Sequence, residues 1–307
     1  MKNRSKRNHY CSMPKGYYHF STSGLQNGKL FYTTTQFAYG MTLIGLITLW
    51  YDVKVYAFVL IPNHIHIILS GTGEDCVKAF DFLRRKISAR LIEDDNPPLP
   101  EDYDFVLIPI NDKNHMRSEI EYVLRNPLEK NYSTPEGYPW GSGWIYHSEF
   151  PSLITGTKAN DIPVRELRNT CNSKISIPDY WQFHPVLGLL PESFVDKSLI
   201  IKLFPSAKDF ESLLVKDYES YSRIAKELGE SPEYSDIEIA DIRNHVLQTS
   251  FKGNDLNDLT TDSKYSLIGI LSTKFNMSPK DISRVVYMRE TLVRQVLYSK
   301  EFKSVMA

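Results

Sequence analysis

The chain is 307 residues long, 42% hydrophobic and 24% charged, with a formal net charge of −1. That length suggests two domains, and the composition is that of a folded globular chain rather than a disordered one. A membrane-spanning class is excluded, because the most apolar run, Met41 to Trp50, is short and carries Thr42 and Thr48. Cys11, Cys76 and Cys171 are scattered with no metal-ligand spacing and no disulfide framework, and the basic N-terminus is followed by no apolar signal core. Both features predict a reducing, cytoplasmic setting.

In chain order, residues 1 to about 15 read as a flexible basic arm (Lys2, Arg4, Lys6, Arg7). Tyr17 to Ser23 is aromatic and β-rich and predicts a first strand. Phe37 to Trp50 predicts a helix packed on a sheet. Val53 to Leu60 and Ile65 to Leu69 predict an antiparallel hairpin turning at Pro62-Asn63. In Val77 to Ile92, Phe80, Leu83, Ile87 and Leu91 recur at helical spacing, with Arg84, Arg85, Lys86 and Arg90 on the other face. Such a basic face is ordinarily solvated surface. Phe105 to Ile110 predicts another strand, and Ser118 an N-cap for a helix that ends near Asn126, ahead of Pro127. Tyr132 to Gly143 reads as an ordered Gly/Pro/aromatic loop, 151–200 as an irregular connecting segment, and 201–307 as helical. The predicted class is α+β, an antiparallel sheet with flanking helices, followed by an all-helical C-terminal domain.

Two segments carry candidate chemistry. His64 and His66 lie two apart in a strand, so both imidazoles share one face while Ile65, Ile67 and Leu69 point to the core. Two imidazoles so placed can bind one metal ion. A bare pair is more often structural, and a histidine triad would need a third histidine at Ile68. In the later helix, Tyr122 and Asn126 are four apart and therefore stacked on one face, offering a phenol and a carboxamide oxygen. Together the two segments supply what a DNA-nicking site needs: metal ligands at His64, His66 and Asn126, and a nucleophile at Tyr122.

At these residues the sequence resembles the REP-associated tyrosine transposases, within the single-tyrosine HUH class. The matching stretches are Ala57 to Leu69 (AFVLIPNHIHIIL), Tyr122 to Pro127 (YVLRNP) and Glu136 to Ser142 (EGYPWGS), within residues 1–150. The resemblance implies a ferredoxin-like antiparallel sheet, the HUH nuclease fold. It further implies Mg²⁺ or Mn²⁺, a hairpin-containing single-stranded DNA partner, and a 5′-phosphotyrosine intermediate at Tyr122. It leaves monomer and homodimer open. After Asn126-Pro127 the family usually continues Val-Arg-Ala-Gly, whereas this chain reads Leu128-Glu129-Lys130-Asn131.

In the C-terminal region, Leu267, Ile270, Leu271 and Phe275 predict one amphipathic helix, Ile282, Val285 and Val286 a second, and Leu292, Val293, Val296 and Leu297 a third. The last pair resembles a helix-turn-helix that would turn Arg289, Arg294 and Gln295 toward DNA. A small helical bundle with solvated basic residues is the competing reading. Two further functions are compatible with the same residues: a catalytically silent DNA-binding regulator, and a metal-dependent nucleotide phosphohydrolase that uses water and would tolerate Tyr122→Phe.

Overall fold

The structure, a computed structural model, describes residues 2–22, 24–25, 28–129, 132–147, 154–232 and 234–299, without the side chains of residues 2–4 and 214. Ser23, the last residue of the expected first strand, and Lys130 and Asn131 lie outside the described residues. No helix among the described residues is long and apolar enough to cross a membrane. The chain forms two compact units, Met1–Val215 and Lys216–Ala307.

The first unit is built on a sheet of β1 (Gly16–Thr22), β2 (Lys54–Ile61), β3 (His64–Gly71) and β4 (Phe105–Ile110) in the order β2-β3-β1-β4, every neighbouring pair antiparallel. Strand alternation divides it into two faces. One carries Tyr18, Phe20, Ile65, Ile67 and Phe105 and is covered by α2 (Thr34–Trp50) and α3 (Gly73–Glu93). Phe80 of α3 stacks on Phe105 with ring centroids 4.5 Å apart. The other carries His19, Ser21, His64 and His66, and α4 (Lys113–Glu129) packs across it on β2 and β3.

Helix α2 is apolar around most of its circumference because it is covered on two sides. A Cβ on Gly40 would lie 2.7 Å from Phe31 and 2.9 Å from Leu60 of the sheet, and one on Gly45 would lie 2.2 Å from Leu189. Leu189 belongs to a small antiparallel sheet of β5 (Thr157–Lys158), β6 (Gln182–His184) and β7 (Gly188–Leu189). This sheet and α5 (Val164–Cys171) lie in the stretch expected to be a connector, and α6 (Ser198–Leu203) and α7 (Ala207–Glu211) follow at and beyond its end. Trp181 and Leu189 from that stretch, and Phe204 and Phe210 beyond it, join the core of the first unit, which is why the compact unit extends to Val215.

Three local expectations are corrected. Residues expected as a flexible arm form helix α1 (Lys2–Cys11), held by Lys6 Nζ on Asp104 at 2.8 Å, a two-bond Arg7–Asp81 pair at 2.8 and 3.1 Å, and buried Tyr10 against Phe105. Helix α4 starts at Lys113, ahead of Ser118, because Asp112 Oδ1 accepts from Asn114 N and His115 N, both at 2.9 Å, and so caps the first turn. The helix also continues through Pro127 to Glu129. Proline there removes one bond in a last turn that Arg125 holds through Glu129 at 2.7 Å and the Leu213 carbonyl at 2.8 Å.

The loop from Tyr132 onward shields an edge. Strand β2 is outermost in its sheet, and residues 140–142 bond along it: Leu60 N donates to Trp140 O at 2.8 Å and Ser142 N to Phe58 O at 3.0 Å. Tyr138 Oη donates to Leu60 O and Tyr146 Oη to Tyr56 O. These bonds satisfy backbone groups that would otherwise template aggregation.

The second unit has its own core, including Ile242, Val246, Leu267, Leu271, Phe275, Ile282, Val285 and Val293. It holds α8 (Tyr218–Leu228), α9 (Asp236–Ser250), α10 (Thr261–Lys274), α11 (Pro279–Val286) and α12 (Glu290–Tyr298). Ser278 caps α11 through Asp281 N, and Tyr287 in the left-handed region (φ 52°) turns the chain into α12. The three amphipathic helices read from the sequence are α10 to α12.

Candidate active site

The site lies between β3 and α4. Registration of β3 against β1 and β2 puts His66 opposite Ser21 and Val59, with His64 opposite Ile61 at the strand's beginning. Thr22 Oγ1 accepts from Ile65 N at 2.9 Å and pins the backbone between the two histidines. The turn before them is fastened by Leu30 N, which donates to Pro62 O at 2.6 Å. Asn63 Oδ1 lies 2.9 Å from His64 Nδ1 and fixes that ring's direction.

Across from them, His115, Glu119, Tyr122 and Asn126 are spaced by four, three and four residues and share one face of α4. The outer face of α4 is anchored by Arg117, whose guanidinium donates to Leu203 O at 3.0 Å and Ser212 Oγ at 2.9 Å and stacks 4.2 Å from the Phe204 ring centre. Anchored in this way, the helix directs its inner face at the histidines.

Four of the residues predicted from sequence therefore converge. Ring centroids of His64 and His66 are 4.5 Å apart and those of His66 and Tyr122 5.6 Å apart. Asn126 Nδ2 lies 3.2 Å from His66 Nε2. All four are buried. Asn126 Oδ1 is buried with no hydrogen-bond partner among the described residues, which is costly for a carboxamide. A half-turn of that amide exchanges its two heavy atoms and would set the oxygen beside His66 Nε2. Two imidazoles and one carboxamide oxygen are a donor set that suits a divalent cation accepting mixed nitrogen and oxygen ligands.

Two site residues were missed in the sequence. His19 Nε2 lies 3.0 Å from His66 Nδ1, and His19 Nδ1 lies 2.6 Å from Glu119 Oε2, while Glu119 Oε1 is 2.8 Å from His115 Nε2. His19 and Glu119 are fully buried. Burial pushes the Glu119 carboxyl up, but hydrogen bonds from His115 and His19 and their charge outweigh it and hold the group at about 2, below the usual carboxylate range. The signal for Glu119 was its place on the Tyr122–Asn126 face; His19 had only its position in a strand of aromatic and hydroxyl residues.

The other predicted residues lie elsewhere. Arg84, Arg85, Lys86 and Arg90 are on α3, across the sheet from the histidines. Three of them are engaged within the chain: Arg84 with Glu101 O at 2.8 Å, Lys86 with Asn172 O at 2.6 Å, and Arg90 with Asp94 at 2.8 Å. Arg85 is exposed and, with Lys86, Lys174, Trp50 and Tyr51, lines a shallow cleft. Arg289, Arg294 and Gln295 are exposed at the start and along α12 of the second unit, with Arg294 paired to Glu290 at 2.6 Å.

No family model and no curated protein matches the chain. Among solved structures, one described as a REP-associated tyrosine transposase bound to a REP hairpin overlaps 42% of this chain and 77% of its own, with a TM-score of 0.34 and 15% identity. A likeness this slight leaves the functional reading to the chain's own residues.

Proposed function

We propose that the protein nicks and rejoins single-stranded DNA through Tyr122, as a transposase-like enzyme of the HUH tyrosine type. The observation that carries this reading is the convergence of His64 and His66 with Tyr122 and Asn126, brought from two separate elements to one buried face. The order strand-helix-strand-strand-helix-strand, with sheet order β2-β3-β1-β4, is what a ferredoxin-like sheet would have and supports the same reading. So does the resemblance of three sequence segments to the REP-associated tyrosine transposases.

His64, His66 and Asn126 would hold Mg²⁺ or Mn²⁺. When bound, such an ion polarises the scissile phosphate and stabilises its transition-state charge. Tyr122 Oη loses its proton and forms a bond to phosphorus. The bond from phosphorus to the 3′ oxygen breaks, and that oxygen takes up a proton to leave as a 3′-hydroxyl. The DNA 5′ end stays on Tyr122 as a phosphodiester, so rejoining needs no nucleotide cofactor. Helix α4 fixes the phenol over the histidines, which supplies the orientation that makes attack effectively unimolecular. The exposed α12 residues Arg289, Arg294 and Gln295, and Arg85 with Lys86 on α3, are proposed phosphate or base contacts.

The test is covalent capture. Wild-type protein and Tyr122→Phe are incubated with labelled hairpin-containing single-stranded DNA, with Mn²⁺ or with EDTA, and run on denaturing gels. The expected result is a labelled protein band that needs both Mn²⁺ and Tyr122. Metal-dependent cleavage that survives Tyr122→Phe would instead favour a water-using phosphohydrolase. DNA binding with no cleavage would favour a regulator.

A further inference from the structure

Both metal-facing histidines have Nδ1 engaged by a neighbour, but in different ways. His64 meets the adjacent Asn63 Oδ1 at 2.9 Å. His66 meets a buried side chain from another strand, His19 Nε2, at 3.0 Å, and His19 in turn meets Glu119 Oε2 at 2.6 Å. A carboxylate only accepts, so His19 Nδ1 donates to Glu119. The line ends on His66 Nδ1 and leaves Nε2, on the far side of the ring, facing Asn126 at 3.2 Å.

We propose that Glu119 and His19 are positioning residues that fix the ring of His66 through its Nδ1 and so aim Nε2 at the divalent cation. This rests on the reading of His66 as a metal ligand. Such outer partners orient a ligating imidazole and raise its basicity, and losing one typically weakens metal binding about 10- to 100-fold. The line is built from three elements: Glu119 from α4, His19 from β1 and His66 from β3. Glu119 is also steadied from its other oxygen by His115 at 2.8 Å, so the end of the line cannot rotate away.

The test is made on the full chain. Mn²⁺ affinity, read from the electron paramagnetic resonance of free Mn²⁺, is compared for wild type, His19→Phe, His19→Gln and Glu119→Gln. Glutamine at position 19 can keep a hydrogen-bonding group near His66 Nδ1, whereas phenylalanine cannot. Affinity is expected to fall about 10- to 100-fold in His19→Phe and to stay near wild type in His19→Gln. Equal losses in the two would mean that position 19 acts through packing and would overturn the proposal. If His19→Phe does not fold, a Glu119→Gln protein with unchanged affinity overturns it equally. A folded wild-type protein that binds no Mn²⁺ would sink the metal reading itself, whereas Mn²⁺ bound equally by wild type and His19→Phe would sink the positioning alone.

Discussion

Glu119 is enclosed on both oxygens by imidazoles and has no exposed surface. Its folded-state pKa, about 2, lies below the ordinary 4.5, so its contribution to stability is complete above about pH 4.5 and is lost as pH falls toward 2. A shift of that size corresponds to a contribution of the order of 3 kcal/mol. Urea unfolding at pH 6 and pH 3 should show a large acid loss in wild type and a distinctly smaller one in Glu119→Gln. Equal losses would mean that other carboxylates govern the acid limb. At this scale the sequence was half legible. His64 and His66 announce themselves because two histidines two apart must share a strand face. His19 does not, because only the pairing of β1 with β3, with Ser21 opposite His66 and His19 opposite Ile68, makes it a diagonal neighbour of His66.

Among the elements, α4 and the loop that follows it decide whether the site exists. The beginning of α4 was misplaced because Ser118 and Asp112 are both good caps, and only the chain's path after β4 selects Asp112. Its end was misplaced because a proline in a last turn costs little when side chains hold the turn from outside. Strands β1 to β4 were legible to within a few residues, since period-two patterns with apolar content leave little choice of face. The loop over 132–143 was read as ordered from its glycines, proline and aromatics, but its task of covering the β2 edge depends on a partner strand far back in sequence. Gly143 is the tight point in that loop: a Cβ there would lie 2.3 Å from Pro135 O. Gly143→Ala should therefore destabilise the first unit by about 1–3 kcal/mol. The measurement is the urea midpoint, with the slope unchanged. An unaltered midpoint would show that the loop yields without cost to the fold.

At the scale of the whole molecule, the division into units at Val215 was not legible, because 154–215 has no long periodic run. Its contribution is a set of single aromatic and aliphatic residues, such as Trp181, Leu189 and Phe204, that reach a core formed mainly by earlier sequence. The second unit was legible as helices because its apolar positions recur at helical spacing, and those positions form a core of their own. A fragment beginning at Lys216 is expected to unfold cooperatively on heating, followed by far-ultraviolet circular dichroism. It is also expected to bind duplex DNA in fluorescence anisotropy. Replacing Arg289 and Arg294 together by alanine should lower the slope of log affinity against log salt by about two if both meet phosphates. An unchanged slope would assign the unit a role other than phosphate contact.

Whether Tyr122 is the nucleophile is decided by mass spectrometry of protein trapped on hairpin-containing single-stranded DNA in Mn²⁺ and digested with nuclease and trypsin. A nucleotide phosphate is expected on the peptide Ser118–Arg125, attached at Tyr122 and absent from protein incubated with EDTA. Cleaved DNA with that peptide unmodified, or the adduct on any other residue, would contradict that assignment.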